Sequence, residues 1–173
     1  MNSATQTLDD VLNEARTKGA QLEQAFDVPV LLVVSDETEL DGATAVTSPA
    51  SAAKSGEERK GPVTYVVPLQ PRYKEKHPSG ADSKLSFGRS TVCDVVLPFS
   101  PISKHHGFFA HAGSVWSVED VGSTNGTVVN GHKAGASGLL LTDGCSLQMG
   151  AVVARFLSAK AFCAVLRERL ALG

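Results

Sequence analysis

The sequence predicts a mainly β protein, a sandwich or barrel of short antiparallel strands with a helix flanking it at each end. Three observations predict it. From Lys84 onward, short apolar runs (Leu85–Phe87, Asp94–Leu97, Gly107–Ala110, Val115–Val118, Thr127–Val129) alternate with Gly, Pro, Asn and Ser at short intervals, the pattern of an all-β domain. At both ends the apolar spacing changes to that of a helix. The composition, 42% hydrophobic and 20% charged, belongs to a globular chain rather than a disordered or fibrous one.

Leu8, Val11, Leu12, Ala15, Leu22 and Phe26 share one face at helical spacing, and Thr7 with Asp10 makes a capping start. Residues 8–26 are therefore expected to form an amphipathic helix, weakened at Gly19. Its apolar face should pack on the main body; a partner-binding helix is the sharper alternative. Pro29–Ser35 is a β-branched apolar run suited to a buried strand. Asp36–Pro62 turns to Thr, Ser, Ala, Gly, Glu and Lys, too polar to bury a face, and reads as a loop or linker. Val63–Leu69 is strand-like again, whereas Pro71, Pro78 and Gly80 break up Pro71–Ser83. Leu139–Leu141, Cys145–Met149 and Val152–Phe156 extend the β texture. At Ser158 the period switches: Phe162, Val165, Leu166 and Leu170 take helical spacing, Ser158 can cap the start, and Arg167 and Arg169 suit the negative end of the dipole. The expected units are a helix in 1–27, a β body in 28–157 with a polar insertion at about 36–62, and a helix in 158–173.

Charge and cysteine usage exclude several function classes. A formal net charge of -2 is a poor match to a phosphate backbone, which demands a dense basic surface; no nucleic-acid partner is expected. Any anion must be bound by a few placed groups. Cys93, Cys145 and Cys163 are odd in number and far apart, which suggests neither a zinc site nor a disulfide framework but buried, reduced thiols. With Asp9, Asp10 and Glu14 near the start and no apolar core there, no signal peptide is expected. Val28–Val34 is far shorter than the ~20 residues that span a bilayer. A cytoplasmic protein with no membrane partner is expected.

Four pieces line up within the β region: Phe87-Gly88-Arg89, Ser103-Lys104-His105-His106, Gly122-Ser123-Thr124-Asn125-Gly126-Thr127 and Asn130-Gly131. Each is weak alone, since Asn-Gly is a generic turn and Gly-Arg is common. As an ordered set they resemble the forkhead-associated (FHA) domain, a family that reads phosphothreonine peptides. The resemblance is strongest over Leu85–Phe156 and says nothing about the N-terminal helix. It implies an antiparallel β-sandwich of about eleven strands and a binding module rather than an enzyme. It implies phosphate contacts by Arg89, Ser103 and Lys104, and contacts of Thr124 and Asn125 with the phosphothreonine and the peptide main chain. It also implies framework roles for Gly88, His106, Gly126 and Asn130, a preference for phosphothreonine over phosphoserine, and a place downstream of a Ser/Thr kinase.

The physical chemistry of the residues agrees. A phosphothreonine carries about -1.5 to -2 charge and three acceptor oxygens. Arg89 offers a planar fork for them, Ser103 a hydroxyl and a main-chain N–H, and Lys104 a point charge. The amide of Asn125 both donates and accepts, so it can hold a peptide backbone without reading side chains. His105 and His106 are adjacent on a strand, point to opposite faces and cannot share one metal or one catalytic role; His105 should face solvent. His111 and His132 have no ligand spacing, so neither metal nor cofactor is expected. Trp116 reads as a core aromatic. Ser103, His106 and Asp120 supply the residue types of a catalytic triad, but no nucleophile elbow or P-loop accompanies them. Loops 98–102 and 132–138 are the candidates for reading residues that flank the phosphate. A phosphorylated Thr or Ser within the chain's own polar segments is a further possible ligand. The competing reading is a phospho-independent scaffold that assembles through its sheet faces or terminal helices.

Overall fold

A computed structural model describes residues 6–18, 26–35, 63–72 and 82–171. The segment 36–62, read above as an insertion, and residues 19–25 lie outside the described residues. The chain runs β1 (Gln6–Thr7), α1 (Leu8–Lys18), β2 (Val30–Ser35), β3 (Val63–Pro68), β4 (Asp82–Gly88), β5 (Val95–Val96), β6 (Gly107–Ala112) and β7 (Val115–Asp120). It continues through β8 (Thr127–Val129), β9 (His132–Lys133), β10 (Leu139–Leu141), β11 (Ser146–Met149), β12 (Val152–Leu157) and α2 (Ala159–Ala171).

Alternating apolar residues sort the strands into two sheets, β1-β3-β2-β12-β11-β8-β9 and β10-β7-β6-β4-β5. Odd positions of a strand face one way and even positions the other. The inner faces carry Leu31, Val33, Tyr65, Val67, Leu85, Phe87, Phe109, Trp116, Val118, Leu147, Met149 and Phe156, all in one buried cluster between the sheets. Burying each such large side chain contributes about 1.5–3 kcal/mol. Trp116 belongs to this core, as its type suggested, and all three cysteines are buried and outside any disulfide. The strands pair antiparallel except for the short β4–β5 pair, where Phe87 meets Val95 in parallel register.

The two helices cover part of the outer face of the larger sheet. Leu8, Val11 and Ala15 of α1 and Phe162 and Leu166 of α2 pack with Val30, Val66 and Leu157. The apolar face of α1 is thus spent on its own domain, the first of the two roles weighed for it. The cap is present: the Asp10 N–H donates to Thr7 Oγ1 at 3.2 Å. Phe26 is not on that helix but beyond it, where its ring meets Phe162 edge-on at 5.2 Å. Thr7 and Gln6 extend the sheet as β1, against Tyr65 and Val66 of β3. Ser158 caps α2 through the Ala161 N–H at 3.3 Å. No described helix is long and apolar enough to cross a membrane.

Candidate functional site

Three loops converge at one end of the sandwich: 89–94 between β4 and β5, 97–106 between β5 and β6, and 121–126 between β7 and β8. The first two are zipped together by main-chain bonds. Arg89 N–H donates to Ser103 O at 2.9 Å and Ser90 N–H to Lys104 O at 3.1 Å. The crossing depends on Gly88. A Cβ placed there would lie 2.3 Å from Lys104 O and 2.9 Å from Ser103 O, closer than any real contact. Gly88→Ala is therefore expected to cost about 1–3 kcal/mol, as overpacking does, and to weaken peptide binding with it. Melting temperature and peptide titration check this; a variant with wild-type values in both would refute the close crossing.

Arg89 is half-buried, and its Nε donates to Ile102 O at 3.3 Å, which ties the guanidinium to the strand of residues leading into Ser103. Within loop 89–94, Asp94 Oδ2 accepts from both Ser86 N–H (3.0 Å) and Ser86 Oγ (2.7 Å). Lys104 is exposed, and so is His105. Under Lys104, the buried Cys93 thiol donates to its carbonyl at 3.4 Å, and burial pushes that thiol's pKa up.

A buried polar chain links the second and third loops. Ser103 N–H donates to His106 Nδ1 at 3.1 Å. Nδ1 must then be the bare nitrogen, and Nε2 carries the proton. Nε2 lies 3.1 Å from Thr127 Oγ1, and Thr127 Oγ1 donates in turn to Asp120 Oδ2 at 2.8 Å. Asp120 also accepts from Gly122 N–H (2.9 Å), Ser123 N–H (2.8 Å) and Ser123 Oγ (2.7 Å). The direction of every bond follows from the one before it. His106 is fully buried and stacked on Phe87 at 5.4 Å between centroids.

Burial holds the His106 pKa below its ordinary value, although Asp120 pulls the other way. For Asp120, burial pushes up, but the hydrogen bonds from Ser123, Thr127 and Gly122 together win and hold it below the usual carboxylate range. Both shifts act in one direction. An unfolded His takes up a proton below about pH 6.5 and an unfolded Asp below about pH 3.9, while the folded forms resist it. Stability is thus expected to fall as pH drops below about 6.5, and further once the Asp range is reached. Thermal melts between neutral and mildly acidic pH check this, and a Tm flat across that interval would count against a neutral, buried His106.

The candidate surface grows from this chain. Thr124 N–H donates to Ser103 Oγ at 3.0 Å, and Ser103 Oγ lies 3.3 Å from Thr124 Oγ1. Asn125 Nδ2 donates to Pro101 O at 2.7 Å, leaving the amide oxygen and a second N–H. Gly126 has φ of +75°, which a side-chain-bearing residue adopts at a cost, and its N–H donates to Ser123 Oγ at 2.9 Å. Arg89, Ser103, Lys104, Thr124 and Asn125 therefore sit on three loops bonded to each other.

Two readings from sequence need correction. The main-chain N–H of Ser103 is engaged by His106, so only the hydroxyl can face a ligand. Asn130 is not a support of this loop cluster. It sits at the far end of β8, with φ of +48°, where its N–H donates to Ser146 O and its Oδ1 accepts from Ser146 N–H, both at 2.9 Å. Asp120, Ser123 and Thr127 are the framework residues that sequence reasoning missed. An Asp two residues before a Gly is the signature of an Asx turn, and that signal was present in Asp120-Val121-Gly122. Size alone does not mark the site: a larger recess of about 690 Å³, walled by Leu69, Trp116, Leu141 and Phe156, opens at the opposite end of the sandwich.

Residues 85–150 match the family model of the FHA domain. This stretch matches the FHA family. Solved structures similar to the chain are FHA domains. The N-terminal FHA domain of S. cerevisiae Rad53p, solved in complex with a phosphothreonine peptide, is 17% identical; the match covers 80% of this chain and 98% of that one, with a TM-score of 0.48. The FHA domain of the CT664 protein from Chlamydia trachomatis is 19% identical, over 76% of this chain and 97% of that one, with a TM-score of 0.46. The FhaA FHA domain, complexed with the intracellular domain of Rv3910, is 20% identical over 74% and 98%, with a TM-score of 0.45. No curated protein matches the chain. The matched segment contains every residue of the three loops from Arg89 to Gly126. It stops short of β12 and both helices, whose packing on the larger sheet is described above.

Proposed function

We propose that this protein is a phosphothreonine-dependent binding module, without catalytic activity, that recognises partners phosphorylated by a Ser/Thr kinase. The FHA match supports the class, since reading phosphothreonine is what that resemblance implies. The observation that carries the reading in this chain is the Ser103–Thr124 pair. It joins two loops into one rigid wall beside Arg89 and Lys104. A dianionic phosphate then meets a guanidinium, an ammonium and hydroxyls on fixed main chain, the way a nearly neutral protein can hold one anion. Asn125 is positioned by Pro101 to hold the peptide backbone. Ser103, His106 and Asp120 are not a triad in this reading, because the Ser103 hydroxyl pairs with Thr124 while His106 faces the Ser103 N–H. A cytoplasmic location and freedom from nucleic-acid and membrane partners belong to the same proposal, on charge and composition.

The test is titration of one peptide library in phosphothreonine, phosphoserine and unmodified form. Phosphothreonine peptides are expected to bind best, because a pocket for one methyl group can supply about 1–3 kcal/mol of discrimination. Equal binding of all three forms would replace this reading with the phospho-independent scaffold.

A further inference from the structure

Loop 121–126 has a second side. Its Ser103 side forms the wall described above. Its other side borders a cavity of about 280 Å³ lined by Asp120, Gly122–Gly126, Lys133, Ala134 and Gly135. Almost every polar group there is already committed. Gly122 and Ser123 N–H donate to Asp120, Gly126 N–H to Ser123 Oγ, and Ala134 N–H to Thr127 O at 2.8 Å. The Asp120 carboxylate receives all the donors already named and is 7% exposed, so it projects little negative charge into the space.

Lys133 differs. It is exposed, and its ammonium has neither ion pair nor hydrogen bond among the described residues. Lys84, by contrast, holds Glu119 at 2.8 Å. The Lys133 stem is laid across Gly126: a Cβ there would come 3.6 Å from Lys133 Cε. The pairing of Lys133 with Val128 in the β8–β9 hairpin anchors its backbone. The cavity therefore presents one uncommitted charge, positive, beside small neutral walls. It shares Thr124 and Asn125 with the phosphopeptide surface.

We infer that Lys133 selects, among phosphothreonine peptides, those with an anionic side chain near the phosphothreonine, seated in the cavity behind loop 121–126. The inference rests on the function proposed above. The shared chemistry is a carboxylate or a second phosphate. The pair would be partly exposed, so the selectivity is modest, about 2- to 5-fold over alanine, and it weakens with salt.

The experiment uses the full chain and an array of peptides with a fixed phosphothreonine. Each flanking position is varied among Ala, Lys, Asp, Glu and phosphothreonine. One flanking position should favour the anionic set, and the stronger of carboxylate and phosphate names the source. Lys133→Glu should invert that preference toward Lys at the same position, a rescue that a general loss of folding cannot produce. A flat profile, or an acidic preference that survives Lys133→Glu, overturns the inference while phosphothreonine dependence stands. Indifference of every peptide to phosphorylation overturns the proposed function, and this inference with it.

Discussion

Arg89→Ala is expected to reduce affinity for a phosphothreonine peptide by about 100-fold, the loss of a charge-assisted, two-pronged contact worth roughly 3 kcal/mol. The folded state should lose much less. Arg89 is half-buried, and its Nε–H donates to Ile102 O at 3.3 Å; losing a bond of that kind costs about 1 kcal/mol, or a few degrees in Tm for a domain of this size. The pattern matters more than either number. A framework residue would lower both quantities together, whereas a ligand residue lowers affinity alone. Arg89→Lys keeps the charge but not the fork, so it should recover only part of the affinity. Fluorescence titration and thermal melts on the three proteins decide it. Wild-type affinity in Arg89→Ala would remove Arg89 from the site, and a collapse in Tm would make it a structural residue.

Asp120 should show the opposite pattern. It touches no ligand in the proposed arrangement, yet Asp120→Ala is expected to cost about 2–4 kcal/mol of stability and to abolish peptide binding. The loss is that of the acceptor, not of a contact area. Gly122 N–H, Ser123 N–H, Ser123 Oγ and Thr127 Oγ1 would all lose their acceptor; Thr127 is fully buried, where an orphaned group costs about 1–3 kcal/mol, whereas Gly122 is exposed and Ser123 half-buried, so water replaces part of their loss. Asp120→Asn is the more telling variant, because it keeps the shape. Its new N–H₂ would confront Thr127 Oγ1, which already faces the His106 Nε2 proton. Relief by flipping the His106 tautomer would set Nδ1–H against the Ser103 N–H. The amide therefore breaks the polarity of the whole chain, and Asn should be nearly as damaging as Ala. Denaturant unfolding with an unchanged m-value would measure it. An Asn variant as stable as wild type would dismiss the directional chain from Ser103 to Asp120.

The strands were legible because two signals agree in them. Runs such as Leu85–Phe87 and Val152–Phe156 combine branched or aromatic side chains with period two, and a glycine lies close to each, Gly88 after the first and Gly150 before the second. The place of Phe26 was not legible: apolar spacing put it on the helix, whereas it is not helical and reaches the same apolar cluster on its own. The candidate residues stood out in the sequence as a set, Arg89 with Ser103, Lys104, Thr124 and Asn125. What joins them was not. His106, Thr127 and Asp120 are bonded across sequence separations without any period, and their order becomes visible only when three loops share one end of the sheet. Asn130 illustrates the converse. It follows Asn125 closely in sequence, but β8, Thr127–Val129, lies between them and carries the chain about 10 Å along the sheet, away from the loop cluster. Sequence proximity across a strand is separation in space.

The close main-chain crossing at Gly88 bears on timing. Loops 89–94 and 97–106 are bonded to each other without a ligand, so under the proposed function a peptide would not have to wait for them to assemble. Little of its binding free energy would be consumed in ordering the receptor. Encounter is then governed by diffusion and by the local charge of Arg89, Lys104 and Lys133, and peptides of different sequence should associate at similar speeds. Their differences would appear as residence times. A partner would remain attached for as long as its flanking residues suit the surface, and would be released without the domain opening.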